Sequence, residues 1–263
     1  MMVYMGTHTL DIERMPRGGP HASCLDRWLE TDRQEYLDRD DVDNLKRTVV
    51  RSLDRLGRFF GHHDMFARIA LSEIADVPDP KILELGSGHG ALSRGLLELH
   101  PTAEVTVTDI EPTSVAAIAV GDLGSHPRAT VREMDAAAID APDGCYDLAV
   151  FAMSFHHLPP ALAARVFAEG TRVADKLLII DLPRPPSLLH ILQLGWMLPL
   201  AAAVPVCHDG FISSLRAYSP SALRALARHA DPAIQVQLRG GGLSLPVRPN
   251  PQIVVATRLH RRA

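Results

Sequence analysis

The sequence has 263 residues, 46% of them hydrophobic and 22% charged, which is enough for one large globular α/β domain, with or without a smaller cap. Its net charge of −4 argues against a nucleic-acid-binding protein that relies on a basic surface. The spacing of the three cysteines, Cys24, Cys145 and Cys207, is not that of metal ligands. The sequence does not start with a basic segment followed by an apolar one, the pattern of a signal peptide. We therefore expect reduced thiols, no signal peptide and a cytoplasmic location.

The N-terminal region is predicted to be helical after a segment without regular structure. Residues 1–22 are rich in Gly, Pro, Met and His and show no sustained periodicity, so we predict a mobile segment there. Residues 23–77 carry apolar side chains at helical spacing, as at Leu45, Val49 and Leu53. We predict helices that form a lid over a ligand site, with plain packing against the rest of the domain as the alternative.

The segment 81–90 predicts a buried strand that runs into a glycine-rich loop. A short apolar run is followed by Gly86, Ser87, Gly88 and Gly90, and leucines at helical spacing come next. Glycine permits positive φ and close approach of a ligand to the backbone. The first N–H groups of the following helix are unpaired donors. The loop is therefore a candidate ligand-binding turn.

Glu84 distinguishes between two nucleotide-type ligands for this loop. Gly86, Gly88 and Ala91 loosely satisfy the dinucleotide pattern G-x-G-x-x-G/A, which would suit an NAD(P)-dependent oxidoreductase. A pyrophosphate would, however, be repelled by the Glu84 carboxylate two residues before the first glycine. S-adenosylmethionine carries a sulfonium and an ammonium group, and both would be attracted. The residues therefore favour S-adenosylmethionine over a nicotinamide cofactor.

Acidic residues end the strands that are predicted after the glycine loop. The second strand ends at Asp109, which lies at the separation of about 20 residues that brings a carboxylate to ribose hydroxyls in a βαβ unit. The third strand ends at Asp135, the fourth covers residues 146–153, and the fifth ends at Asp181. Ligands of open α/β sheets bind at the carboxyl ends of the strands, so we predict the ligand site at this edge.

These features resemble motif I of the class I S-adenosylmethionine-dependent methyltransferases, E-x-G-x-G-x-G, and the resemblance covers about residues 78–183. It implies a Rossmann-like α/β fold with a mostly parallel seven-stranded sheet, helices on both faces, an N-terminal helical lid and a helical insertion after strand five. It also implies cofactor contacts from the loop and from the strand ends. The residues concerned are Glu84, Gly86, Ser87, Gly88, Gly90, Asp109, Ile110, Asp135, Ala136 and Phe151.

His156 and His157 directly follow the fourth strand, where an acceptor meets the methyl group. A histidine there can act as a base near neutral pH, and Asp181 can orient it or share its proton. Paired histidines with this aspartate resemble natural-product sugar O-methyltransferases. The sequence does not choose between the two rings, and one of them could instead cap the next helix or fill space.

The last third of the chain is predicted to hold an insertion and then to complete the core. Residues 184–218 include an almost charge-free stretch, which we interpret as helices that form the wall of the acceptor pocket or a contact in a homodimer. Pro199 and Pro205 interrupt this stretch, so we expect no stable insertion into a membrane. Residues 219–263 predict a helix and a strand hairpin.

Asp181, His208 and Asp209 form a candidate Mg²⁺ site, because carboxylates suit that ion. The stretches 35–61, 107–112 and 209–213 resemble an actinobacterial group that includes the mycobacterial 1-O-methyltransferases of methylmannose polysaccharide biosynthesis. That resemblance implies a partly methylated mannoside as acceptor. The residues alone support an O-methyltransferase, with a phenol, quinone or polyketide as alternative acceptors.

Overall fold

The computed structural model describes residues 11–39, 41, 43–241 and 250–259. The first ten residues of the predicted mobile segment, and most of the connection predicted within the C-terminal hairpin, lie outside these ranges. The helices α1 (Cys24–Trp28), α2 (Asp43–Phe60) and α3 (His62–Glu73) precede the first strand. A 3-10 helix, Tyr36–Asp38, lies between α1 and α2.

The core alternates between strands and helices as predicted. Its strands are β1 (Lys81–Leu85), β2 (Glu104–Asp109), β3 (Ala129–Glu133), β4 (Tyr146–Ala152), β5 (Ala174–Asp181), β6 (Ile234–Gly240) and β7 (Gln252–Arg258). Its helices are α4 (Ala91–Leu99), α5 (Pro112–Ala119), α6 (Pro160–Val173), α7 (Ser187–Ala203), α8 (Pro205–Arg216) and α9 (Pro220–Ala230).

Within the described ranges the sheet has seven strands in the order β3-β2-β1-β4-β5-β7-β6. The first five strands pair in parallel, whereas β7 pairs antiparallel with both β5 and β6. The predicted Rossmann-like, mostly parallel sheet is therefore confirmed. β2 and β3 extend the sheet on one side of β1, and β4 then pairs with β1 on the opposite side. The carboxyl ends of β1 and β4 thus flank the switch point at which such sheets bind ligands.

Both faces of the sheet are covered, as the continuous apolar strands require. Leu83 and Leu85 of β1 face a cluster that includes α6 and α9, while Ile82 faces a cluster that includes α3, α4 and α5. The helix α3 packs beside α4 through Phe66, Ala67 and other buried residues. This helix of the predicted lid is therefore part of the core. For α3, this is the packing role that we gave as the alternative to a lid.

Residues 11–22 lie against the core next to the carboxyl edge of the sheet. Met15 is buried in the cluster that contains α6 and α9. The guanidinium of Arg17 is also buried and donates to the carbonyl oxygens of His156 (2.7 Å) and Arg216 (2.6 Å). Arg17 therefore joins the N-terminal segment to the backbone behind the predicted catalytic histidines.

Arg184, just after β5, makes a second set of connections to this segment. Its guanidinium donates to carbonyl oxygens at the end of α1 and at the end of α8: those of Asp26, Leu29, Leu215 and Ala217. Since last-turn carbonyls lack partners within a helix, one buried cation satisfies both helix ends and holds them together.

The predicted helical insertion after strand five consists of α7 and α8, which pack on each other. Pro199 lies inside α7 and does not end it; the helix continues to Ala203. Much of α7 is apolar and exposed, including Leu188 (73%), Leu192 (70%) and Trp196 (62%). None of the helices in the described ranges combines the length and apolar character needed to cross a bilayer.

Candidate active site

The glycine loop has the backbone conformation that its sequence predicts. Gly86 and Gly88 have φ angles of 61° and 58°, in the left-handed region that favours glycine. A Cβ atom at Gly86 would lie 2.7 Å from the ring of Phe151, so glycine is required for packing there. A Cβ atom at Gly88 would meet no described atom within 4 Å. Gly88 therefore borders open space, through which a ligand can reach the backbone.

Glu84 is buried at the end of β1, with 3% of its surface exposed. Its carboxyl group accepts a hydrogen bond from the hydroxyl of Ser93 on α4. Burial raises the pKa of Glu84 to about 7, although the bond from Ser93 acts in the opposite direction. A bound cation at the neighbouring loop would favour the ionised carboxylate, which is the role predicted for Glu84.

Asp109 connects the end of β2 to the glycine loop. Its carboxylate accepts from the N–H of Gly88 (2.7 Å) and from the N–H of Glu111 (2.9 Å). Each carboxylate oxygen has room for a second donor, so the predicted contact with ribose hydroxyls is compatible with this arrangement. The next residue, Ile110, is 64% exposed and offers an apolar surface at the same edge.

The remaining predicted cofactor residues surround the same edge. The hydroxyl of Ser87 is buried without a hydrogen-bond partner among the described residues, so a polar ligand atom would satisfy it. Asp135 is exposed, and its carboxylate holds the N–H of Ala137 at 2.8 Å, which shapes the turn that contains Ala136. Phe151 is buried, and its ring lies directly against Gly86 of the loop. These features fit S-adenosylmethionine, and the individual contacts stay predictions.

Asp109→Ala is expected to raise the Kd of S-adenosylmethionine by about 10- to 100-fold, because hydrogen bonds to a charged group contribute about 1.5–3 kcal/mol each. Isothermal titration calorimetry measures this directly. Asp175→Ala is the matched control, since Asp175 is exposed at the start of β5 on the opposite edge of the sheet. Unchanged affinity in Asp109→Ala would remove Asp109 from the ribose role.

The two histidines lie in a 3-10 helix, Phe155–His157, directly after β4. His156 is 3% exposed, and its Nδ1 lies 2.6 Å from Oδ1 of Asp181 at the end of β5. The backbone N–H of His156 donates to the other carboxylate oxygen of Asp181 at 2.7 Å. The predicted aspartate partner therefore holds His156, and not His157.

Two carboxylates that the sequence analysis did not assign to the site complete it from the N-terminal region. Glu35 is 2% exposed; its oxygens lie 3.6 Å from Nε2 of His156 and 3.8 Å from Nε2 of His157. Asp38 lies 3.0 Å from Nδ1 of His157. Both belong to the turn around the 3-10 helix Tyr36–Asp38, so this turn covers the histidines. We call Glu35, Asp38, His156, His157 and Asp181 the histidine cluster.

Charges within the histidine cluster stabilise one another. Burial by itself lowers the pKa of His156, but the carboxylates of Asp181 and Glu35 outweigh it and raise that pKa to about 9. His156 is therefore protonated at neutral pH in the ligand-free protein. Burial would raise the pKa of Asp38, but His157 and Arg216 hold it well below its ordinary value. The His157 side chain is 24% exposed, so an acceptor can reach it more easily than His156.

The structure does not assemble the predicted Mg²⁺ site. The carboxylate of Asp209 accepts from the N–H groups of Tyr36 (2.9 Å) and Leu37 (3.3 Å), and the ring of His208 stacks on Tyr36 at 4.4 Å. These two residues hold the turn that carries Glu35, whereas Asp181 binds His156. In the part of the chain that the structure describes, only Glu35, His156 and His157 bring three metal-binding atoms within 4.8 Å of one another.

Comparison with known proteins agrees with this geometry. A family model described as a methyltransferase domain matches residues 82–176, from β1 to β5. Residues 82–176 therefore resemble a methyltransferase domain. This match supports the interpretation of the glycine loop and Glu84 as part of a methyltransferase domain.

Three similar proteins are methyltransferases with different substrates in their names. The demethylmenaquinone methyltransferase of Thermus thermophilus is 26% identical over 212 residues, which are 74% of this chain and 94% of that protein. The release factor glutamine methyltransferase of Deinococcus radiodurans is 44% identical over 48 residues, only 18% of this chain and 17% of that protein. Magnesium protoporphyrin IX methyltransferase from Synechocystis PCC 6803, solved with bound SAH, has a TM-score of 0.58 at 18% identity over 85% of this chain and 96% of that one. The last likeness shows the fold.

Proposed function

We propose that this methyltransferase transfers the methyl group of S-adenosylmethionine to a hydroxyl oxygen of a small molecule, with a sugar as the acceptor. The observation that carries the proposal is the histidine cluster at the carboxyl ends of β4 and β5. Because β4 pairs with β1, this cluster lies on the strand next to the glycine loop. An acceptor held between the two would approach the cofactor at the switch point of the sheet.

The chemistry of the cluster suits an alcohol. S-adenosylmethionine supplies an electrophilic methyl group, and the acceptor oxygen must lose its proton as it attacks. His157 is the candidate base in the ligand-free protein. Asp38 holds its Nδ1 and so leaves Nε2 to accept a proton, an arrangement of a base oriented by a carboxylate. His156 and Asp181 are both buried, so they position this imidazole from the side of the protein interior.

Two features support this acceptor class, the polar histidine cluster and the exposed apolar side of α7. The partly exposed carboxylate of Asp38 can accept a hydrogen bond from a sugar hydroxyl. The exposed apolar side of α7 would tolerate methyl groups, which supports a partly methylated mannoside and a place in polysaccharide biosynthesis, as in the mycobacterial 1-O-methyltransferases. The same apolar side supports the alternative of a homodimer contact.

The test is methyl transfer from labelled S-adenosylmethionine to a panel of partly methylated manno-oligosaccharides, free sugars, phenols and quinones. Label on an oxygen of a mannoside, lost in His157→Ala, is the expected result. Label on phenols or quinones alone would overturn the sugar acceptor. Mass spectrometry of the product distinguishes methylation of oxygen from methylation of carbon.

A quinone-type acceptor methylated at carbon is the second candidate function. The match to demethylmenaquinone methyltransferase favours it, because that match extends over 94% of the relative. The apolar surface of α7 would also suit such a ring. The histidine cluster favours oxygen, because an imidazole beside the acceptor can remove the proton of an alcohol, which holds it far more tightly than a phenol does.

A further inference from the structure

The ring nitrogens of the histidine cluster are arranged as in metal sites. The Nε2 atoms of His156 and His157 face the two oxygens of Glu35 at 3.6 Å and 3.8 Å. These separations are too long for hydrogen bonds. Two ligand atoms that each bind one ion at about 2.0–2.2 Å, at angles of tetrahedral to trigonal size, lie about 3.3–3.8 Å apart. The spacing therefore fits an ion between the groups.

The Nε2 atom of His156 supports this interpretation independently. It is buried and has no hydrogen-bond partner among the described residues, although buried polar atoms normally have one. It points toward Glu35, which is itself buried and also accepts a hydrogen bond from Ser213 at 2.7 Å. An ion at this point would satisfy both the imidazole and the carboxylate.

The opposite nitrogens of both rings are already held by carboxylates. Nδ1 of His156 lies 2.6 Å from Asp181, and Nδ1 of His157 lies 3.0 Å from Asp38. Histidines that bind metals usually donate their other ring N–H to a carboxylate or carbonyl, which fixes the tautomer and directs the free nitrogen at the ion. Here both rings have this partner, and both free nitrogens point to the same carboxyl group.

We propose that Glu35, His156 and His157 bind one divalent transition-metal ion, with Asp181 and Asp38 as the orienting carboxylates. Two imidazoles and one carboxylate suit Zn²⁺, Fe²⁺ or Mn²⁺ better than Mg²⁺, which prefers oxygen ligands. Three protein ligands leave a position for an acceptor oxygen, as in catalytic zinc sites. The use of the ion rests on the proposed function: it would lower the pKa of the bound hydroxyl, a task that His157 performs in the metal-free protein.

The probe is ZnCl₂ added to protein that has been treated with EDTA and carries no histidine tag. Calorimetry is expected to show one high-affinity equivalent per chain, and Co²⁺ substitution is expected to give the strong visible absorption of a four-coordinate site. Glu35→Gln, which keeps the shape of the side chain, is expected to weaken Zn²⁺ binding by at least about 100-fold. Asp38→Asn is expected to weaken it by about 10- to 100-fold, as the loss of an orienting partner does.

Glu98→Gln and His229→Ala are the matched controls, because both residues are exposed and lie far along the chain from the cluster. Zn²⁺ binding that is absent, or equal in wild type and Glu35→Gln, would overturn the metal site. Circular dichroism establishes that each variant is folded. The two proposals can be disproved separately. Tight Zn²⁺ binding without methyl transfer to any alcohol would contradict the proposed function alone. Methyl transfer that resists EDTA, without Zn²⁺ binding, would contradict the metal site alone.

Discussion

His157→Ala is expected to lower kcat for methyl transfer to an alcohol by about 100- to 10,000-fold, the usual contribution of a positioned acid–base group. The Kd of S-adenosylmethionine is expected to stay within about twofold, because the ion pairs of this ring join it to Asp38 and Glu35, which are not among the predicted cofactor residues. Single-turnover transfer and calorimetry measure the two quantities. His229→Ala, a change of the same size at an exposed position on α9, is expected to leave both unchanged.

The acceptor dependence of this loss identifies its cause. A phenol ionises near pH 10 and releases its proton far more easily than an alcohol, so the loss with a phenol is expected to be below about 10-fold. Equal losses with both acceptors would contradict proton removal and would leave His157 as a positioning residue. Full activity of His157→Ala with an alcohol would exclude both roles.

Glu84→Gln is expected to make the protein more stable than the wild type at high pH. The carboxyl of Glu84 has a pKa of about 7 in the folded protein against an ordinary value of 4.5, because burial disfavours its charged form. Its contribution to stability is therefore complete below pH 4.5 and is lost as the pH rises through 7. This difference corresponds to about 3 kcal/mol of unfolding free energy, which glutamine would not lose.

Urea unfolding between pH 4.5 and 8 tests this sign. The difference between the unfolding free energies of Glu84→Gln and wild type is expected to grow by about 3 kcal/mol in favour of the variant over that range. Glu98→Gln, exposed on α4, serves as the control. Parallel profiles for wild type and Glu84→Gln would contradict the raised pKa. The variant is also expected to bind S-adenosylmethionine more weakly at pH 8, since glutamine carries no charge for a cationic ligand.

The sheet could be predicted because its signals are local. Several parallel strands are short segments rich in apolar residues between glycines, prolines and acidic residues, as in the strand that ends before Gly86 or the one that ends at Asp109. The ends of the strands are less evident from the sequence. β5, for example, begins at Ala174, three residues before the apolar run that starts at Leu177. Pro199 interrupts the apolar stretch in the sequence but does not end α7, which continues to Ala203 although residue 199 has no N–H to donate to the carbonyl of Gly195.

The site was predictable only as far as the topology of the sheet could place it. Parallel strands bring Asp109, Asp181 and the histidines to one edge, and the spacing of the strands along the chain reveals this. Glu35 and Asp38 reach the same edge through contacts across more than a hundred residues. No periodicity records such a contact. In the sequence, residues 35–61 contribute only to a family resemblance. That resemblance gives no role to Glu35 or Asp38.

Asp209 illustrates the opposite error. A histidine beside an aspartate has the composition of a metal site, yet its carboxylate is occupied by two backbone N–H groups at the turn that carries Glu35. The sequence does not distinguish an aspartate that caps a turn from one that binds an ion. Only the three-dimensional structure shows which donors each one meets.

The position of β7 determines the order in which the domain can be completed during synthesis. β5 is a mostly buried strand, and its second neighbour consists of residues 252–258, about 70 residues later in the chain. Until those residues leave the ribosome, one side of β5 presents unpaired N–H and C=O groups next to Asp181. Asp181 itself pairs with Gln252 in the finished sheet. The growing chain therefore carries an open strand edge beside the future histidine cluster, and strand edges of this kind can pair with other chains until they are covered.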